Sequence, residues 1–137
     1  MIETGAVINI HGEPIFWHEP GGRSGGALPD SRQLWDVLWQ AQSHGWLAGF
    51  AHSHPGGGVP GPSREDVSSF VAIENALGRP LNWWITSADR TVIVRRSTMD
   101  SVPGREIYAS TQIVVENEPI WVPELRRRSG MGEHPFR

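Results

Sequence analysis

His52 and His54 stand two apart at the head of the run HSHPGGGVPGPSRED, and Asp66 closes it. Imidazole and carboxylate are the ligands that zinc and similar ions prefer, and a catalytic site of that kind keeps one position for water. In an extended strand, residues i and i+2 point to the same face. Their Cα atoms lie about 6.5–7 Å apart, so two imidazoles can converge on one ion. Asp66 falls in the first turn of the helix expected next and is a candidate third ligand. The intervening loop has Gly56, Gly57, Gly58 and Gly61 to turn sharply, and Pro55, Pro60 and Pro62 to limit its freedom. A second reading needs no ion. Ser63-Arg64-Glu65-Asp66 is S-x-x-D, close to a capping box, and can serve only to start a helix. The loop is not a phosphate loop, because it lacks the G-K-[ST] ending and the chain has no lysine.

These residues need elements to carry them. Residues 2–10 (IETGAVINI) read as a strand, His11-Gly12 as a turn and 13–17 (EPIFW) as a second strand. Residues 18–30 are rich in Gly and Pro and read as loop. Asp30 or Ser31 is a good N-cap for a helix whose buried face is Leu34, Val37, Leu38 and Ala41, with Gly45 as its stop. Trp35 and Trp39 flank that stripe as core or groove wall. Residues 46–54 (WLAGFAHSH) read as a mostly buried strand. Residues 63–77 read as a helix with Val67, Phe70, Val71 and Leu77 on its apolar side, and Gly78 stops it. Residues 81–88 and 91–96 form a hairpin around Asp89-Arg90. Beyond 97 the pattern is less regular: a strand within 105–115, a short helical turn in 121–130 around Pro123, and a loose tail in 130–137. The order predicts a mixed α/β sheet flanked by helices. Residues 1–98 form the expected catalytic domain, and 99–137 an extension that either joins it or hangs loose.

Composition narrows the class. The 137 residues, 38% hydrophobic and 20% charged, suit one globular domain. No apolar run approaches the roughly 18 residues that cross a bilayer, and no signal peptide is indicated. A catalytic cysteine and disulfides are excluded by the absence of Cys. The expected setting is cytoplasmic, with no membrane partner. A net charge of −3 argues against nucleic-acid binding. All 12 basic residues are arginine, so no side-chain amine can enter an isopeptide bond. Six tryptophans before residue 85 point to an apolar surface for a homodimer or a partner.

The joint pattern His52-Ser53-His54-Pro55, seven residues, Ser63 and Asp66 resembles the signature of the JAMM (MPN+) zinc metalloprotease family, prokaryotic JAB type. Glu3-Thr4-Gly5-Ala6-Val7-Ile8 resembles that family's upstream glutamate segment. The resemblance covers roughly residues 3–96. It implies an MPN-like, cytidine-deaminase-like sheet domain. It further implies that His52, His54 and Asp66 bind Zn2+ with a water as fourth ligand. Glu3 would act as general base and Ser63 would donate to the developing oxyanion. Glu13 and Glu19 are rival acids without the E-T-G context. His18 could line the substrate groove. His11, His44 and His134 read as turn or tail residues and are not assigned to the metal. The family usually has a helix before its glutamate strand; two residues precede Glu3 here. The strand bearing Glu3 is therefore expected to be held by sheet pairing or by a partner chain.

The reaction so implied is hydrolysis of the amide or isopeptide bond after the C-terminal glycine of a ubiquitin-like or sulfur-carrier protein. Two alternatives stand beside it. One is the same chemistry on a cell-wall peptide or phage precursor; the other is a non-catalytic binding module of the same fold.

Overall fold

Alternation along short strands decides the layout. The computed structural model describes residues 1–96 and 112–132. It runs β1 (Gly5–Asn9), β2 (Pro14–His18), α1 (Arg32–Ser43), β3 (Leu47–Ser53), α2 (Arg64–Leu77), β4 (Asn82–Thr86), β5 (Thr91–Val94), β6 (Ile113–Val114) and α3 (Val122–Arg128). The six strands form one mixed sheet in the order β2-β1-β3-β4-β5-β6. Neighbours are antiparallel except β3 and β4, whose parallel pairing requires the crossover that α2 supplies. The element order predicted this α+β arrangement of a mixed sheet flanked by helices.

Period-two alternation sends side chains to two cores. Val7, Phe50, Trp83, Ile85, Val92 and Val94 face α1 and α2, and pack against Leu34, Leu38, Phe70, Ile73 and Leu77. Ala6, Ile8 and Ala51 point the other way, onto Trp121, Val122 and Leu125 of the α3 segment. Ser31, not Asp30, caps α1, its hydroxyl accepting from the Leu34 N–H at 3.0 Å. Glu74, buried in α2, accepts from the Leu81 N–H (2.8 Å) and the Trp83 indole N–H (2.9 Å), which ties the end of α2 to β4.

Three expectations change. The first strand is shorter than 2–10, and Glu3 lies just before it, because ladder pairing with both neighbours begins at Gly5. The extension is not a loose tail in its described part. Trp121, Val122 and Leu125 are fully buried, and Met131, in the expected tail, is 9% exposed. The helix over 122–128 has Pro123 in its first turn, as expected. Of the strand expected within 105–115, Ile113 and Val114 pair with β5; residues 97–111 and 133–137, with His134, lie outside the described residues. The tryptophans are mostly inside, leaving Trp39 and Trp46 as the ones about half exposed. Trp46 stacks on the His44 ring. Among the described residues, no helix is long and apolar enough to cross a membrane.

Leu125 gives a direct measure of how far the extension belongs to the core. Leu125→Ala is expected to lower stability by about 2–5 kcal/mol, read by urea unfolding. A loss within about 0.5 kcal/mol, the range for surface positions, would return α3 to the status of a loose appendage.

Candidate metal centre

The sheet register builds the centre. β3 places Phe50 and His52 on the face covered by α1 and α2, and His54 follows in the same alternation. In the antiparallel β1–β3 ladder Gly5 stands opposite His52. Continuing that register sets Glu3 opposite His54, and the Ser53 N–H to Thr4 carbonyl bond (3.0 Å) carries the pairing past the end of β1. α2 starts above this strand end. Ser63 caps it: its hydroxyl accepts from the Asp66 N–H at 3.0 Å, and Asp66 Oδ2 accepts from the Ser63 N–H at 2.9 Å. The reciprocal cap fixes the first turn and aims the Asp66 carboxylate at the histidines.

Three Lewis-basic atoms meet there. His52 Nε2 and His54 Nε2 are 3.0 Å apart. Asp66 Oδ2 is 2.8 Å from His54 Nε2 and 3.3 Å from His52 Nε2. Atoms of this kind repel unless a proton or a cation sits among them. Bonds of about 2.0–2.1 Å in a tetrahedral shell separate neighbouring ligand atoms by roughly 3.3–3.4 Å. The triangle's sides of 3.0, 2.8 and 3.3 Å equal that or fall short by up to about 0.6 Å, a small opening for an entering ion, so the donor set fits a zinc-type ion, which His52, His54 and Asp66 could hold. A Glu3 carboxylate oxygen forms a wider group with one nitrogen of each histidine, all within 4.8 Å of one another. Two carboxylates thus compete for the third place. The Asp66 oxygen is the nearer of the two to the imidazole nitrogens, and Glu3 lies further out.

Glu3 is 7% exposed and Thr4 is fully buried. Their support comes from two distant parts of the chain, not from sheet pairing alone. The Glu3 N–H donates to the Ser24 carbonyl (2.7 Å) and the Ile2 N–H to the Ser129 carbonyl (2.9 Å). Arg23 donates to the Thr4 hydroxyl (2.7 Å) and the Glu3 carbonyl (3.3 Å). On the α3 side, Thr4 donates to the Arg128 carbonyl at 3.3 Å. Ser53, the middle residue of H-S-H, accepts from the Thr4 N–H (2.8 Å), and its hydroxyl shares a hydrogen bond with the Ser129 hydroxyl (2.7 Å). One strand end therefore carries the histidines on one face and the anchor for the glutamate on the other. Glu19, a rival acid, pairs with Arg23 and Arg128. Glu13, the other, accepts from Asn9 in the first hairpin. In the sequence Ser53 and Thr4 stand only as members of the motif segments, with no role assigned, and Arg23 and Ser129 are not marked at all. Alternation alone could have placed Ser53 opposite the histidines, but no local signal marks Ser129.

Burial raises the Glu3 carboxyl above its ordinary value, and the histidine charges only partly offset this. Burial pushes Asp66 the same way, but the hydrogen bonds from His52 and His54 outweigh it and hold the carboxyl well below the usual carboxylate range. For His54, burial favours the neutral ring, yet the Asp66 contact prevails and its pKa is raised. With no ion at the centre, the raised value widens the pH range over which His54 is protonated against Asp66. Because the folded value is raised, that contact contributes stability below the ordinary histidine value, and the contribution is lost as pH rises through the folded value. Metal binding works against it, since a ligating imidazole must give up its proton. Zinc affinity is expected to fall about tenfold per pH unit below the His54 pKa, with the fall beginning above the ordinary value of 6.5. Chelator competition at pH 8, 7 and 6 reads this. A flat profile would remove His54 from the ligand set.

Ser63 answers two demands with separate capacities. The cap uses a hydroxyl lone pair, which leaves the O–H proton to donate. The side chain is exposed and borders a cleft with Glu3, His54, Pro55 and Asp66, walled by Gly25 to Pro29. His18 is 2% exposed, and its Nε2 lies 2.7 Å from the Pro29 carbonyl, to which it donates. It lines a neighbouring apolar cavity. His11 is in the first turn and His44 caps the end of α1, both away from the centre. No family model and no curated protein matches the chain.

Proposed function

We propose that this protein is a zinc-dependent peptidase of the JAMM type, with an MPN-like fold. The observation that carries the reading is the convergence of His52, His54 and Asp66 within 3.3 Å of one another, with the buried Glu3 carboxylate in the outer place beside them. The H-x-H, S-x-x-D and E-T-G segments that resemble the family thus meet at one point, 49 residues apart at Glu3 and His52.

Zinc bound there would polarise the scissile carbonyl and bring the pKa of a water toward about 7. Glu3 then takes a proton from the attacking water and passes it to the leaving amine. Ser63 donates its free O–H proton to the developing oxyanion. Asp66 and the two imidazoles hold the ion and do not move protons. The proposed substrate is the C-terminal glycine tail of a ubiquitin-like or sulfur-carrier protein. The cleft beside Glu3 has Gly25, Gly26 and Ala27 on its wall, which leaves room for a narrow chain.

The deciding experiment loads the purified protein with zinc and offers a ubiquitin-like protein fused through its C-terminal glycine to a reporter, with a cell-wall peptide in parallel. Cleavage at the glycine, abolished by chelation and restored by zinc, supports the reading. Cleavage of the cell-wall peptide alone would keep the chemistry and change the substrate. A protein that binds one zinc but cleaves neither would be a binding module.

A further inference from the structure

Beside the metal centre, α1, α2 and the sheet enclose a cavity of about 140 Å3 that the reaction above does not use. Its walls are Leu34, Phe50, Phe70, Ile73 and Trp83, with His18 at one side. Phe70 stacks on Trp83 with centroids 4.2 Å apart, and Phe50 meets Trp83 edge-on at 6.4 Å. An apolar cavity of about 150 Å3 is large enough to take benzene.

The cavity adjoins the polar cleft. Leu28, Pro29, Asp66 and Ser69 border both spaces, and His52 and Asp66 form the metal-side wall of the apolar one. The His18–Pro29 bond fixes the loop that forms the outer wall. Gly5 is part of the same construction: a Cβ there would stand 2.3 Å from Phe50 Cζ, so any side chain would drive the ring from its place in the wall. Asp30 at the rim is already engaged, accepting from the Trp35 indole N–H (2.6 Å) and the Ser31 N–H (2.8 Å). Together with Asp66 it makes the entrance unfavourable to an acidic occupant.

We propose that this cavity is a side-chain subsite. It takes one apolar side chain, of leucine to phenylalanine size, from a peptide whose backbone lies in the cleft past Glu3 and Ser63. Because the subsite shares His52 and Asp66 with the metal centre, the residue it holds lies within a few positions of the glycine at the bond being cleaved. The inference rests on the reading that a peptide binds at this centre, but its test needs no hydrolysis.

N-acetyl-leucinamide, N-acetyl-phenylalaninamide and N-acetyl-glycinamide are titrated into the full chain, with and without zinc. NMR follows the Trp83 indole N–H and the His18 ring. The leucine and phenylalanine amides are expected to shift both signals saturably, and the glycine amide to shift neither. Ala72→Trp, at an exposed helix position on the cavity border, is expected to weaken that binding at least about tenfold, the scale on which an apolar pocket registers a lost methylene. Ser69→Leu reads the same border should Ala72→Trp fail to fold. Equal response to all three amides, or binding unchanged in the folded variant, overturns the subsite. A protein that binds the two apolar amides but cleaves no substrate would keep the subsite and lose the peptidase reading.

Discussion

Replacing Glu3 with glutamine is expected to leave zinc at one per chain and to cut hydrolysis about a hundred- to ten-thousandfold, the usual range for general acid–base catalysis. Glutamine keeps the volume and the backbone bonds to Ser24 and Arg23, so the segment stays in place. It cannot take up a proton. The fall should therefore lie in kcat, with KM little changed. The pH profile adds a second signature. The wild type should gain activity with rising pH as Glu3 ionises. Glu3→Gln should lose that acidic limb. Unchanged turnover in a zinc-loaded variant would show that another group handles the proton.

The second large effect separates the two readings of the S-x-x-D segment. Asp66→Ala and His52→Ala are each expected to reduce bound zinc from one per chain to near zero, measured by metal analysis after dialysis, with hydrolysis falling to background. Asp66→Ala should also destabilise the zinc-free protein by about 0.5–2 kcal/mol, because it leaves the Ser63 N–H without its cap acceptor. Asp66→Asn keeps an oxygen for that N–H but removes the negative charge. It should therefore bind zinc poorly while costing less stability than alanine in the presence of chelator. If Asp66→Asn and Asp66→Ala both keep full zinc, the aspartate is a helix cap alone, and Glu3 becomes the acidic ligand with the two histidines.

The single Asp66 carboxylate shows why the metal and cap readings are compatible. Oδ2 accepts from the Ser63 N–H while facing both imidazoles. A carboxylate oxygen has more than one lone pair, so a cap and an ion can share it. The arrangement also gives rigidity. A ligand fixed by its own helix start loses little freedom when an ion binds.

Much of this was legible in the chain by itself, because it depends on neighbours within one element. Period-two alternation sends His52 and His54 to one face, and the S-x-x-D box starts a helix at Ser63. The same alternation puts Glu3, Gly5 and Val7 on one side of the first strand. The order of elements along the chain and most of their positions follow from such local periodicities, with errors of a few residues at the ends.

What only the tertiary structure decided depends on contacts between remote segments, for which no period or spacing leaves a mark. The glutamate is held by Ser24 and Arg23 from the loop after β2 and by Arg128 and Ser129 from the other end of the chain. The Ser53–Ser129 hydroxyl pair joins residues 76 apart, and nothing within either neighbourhood requires it. The sequence left open whether the extension joins the domain or hangs loose, because a short helix has little intrinsic stability; burial of Trp121, Val122 and Leu125 against the far face of the sheet is what makes them part of it. The apolar cavity likewise belongs to no single segment. It exists because Phe50, Phe70 and Trp83 from β3, α2 and β4 stop short of filling the space between helices and sheet.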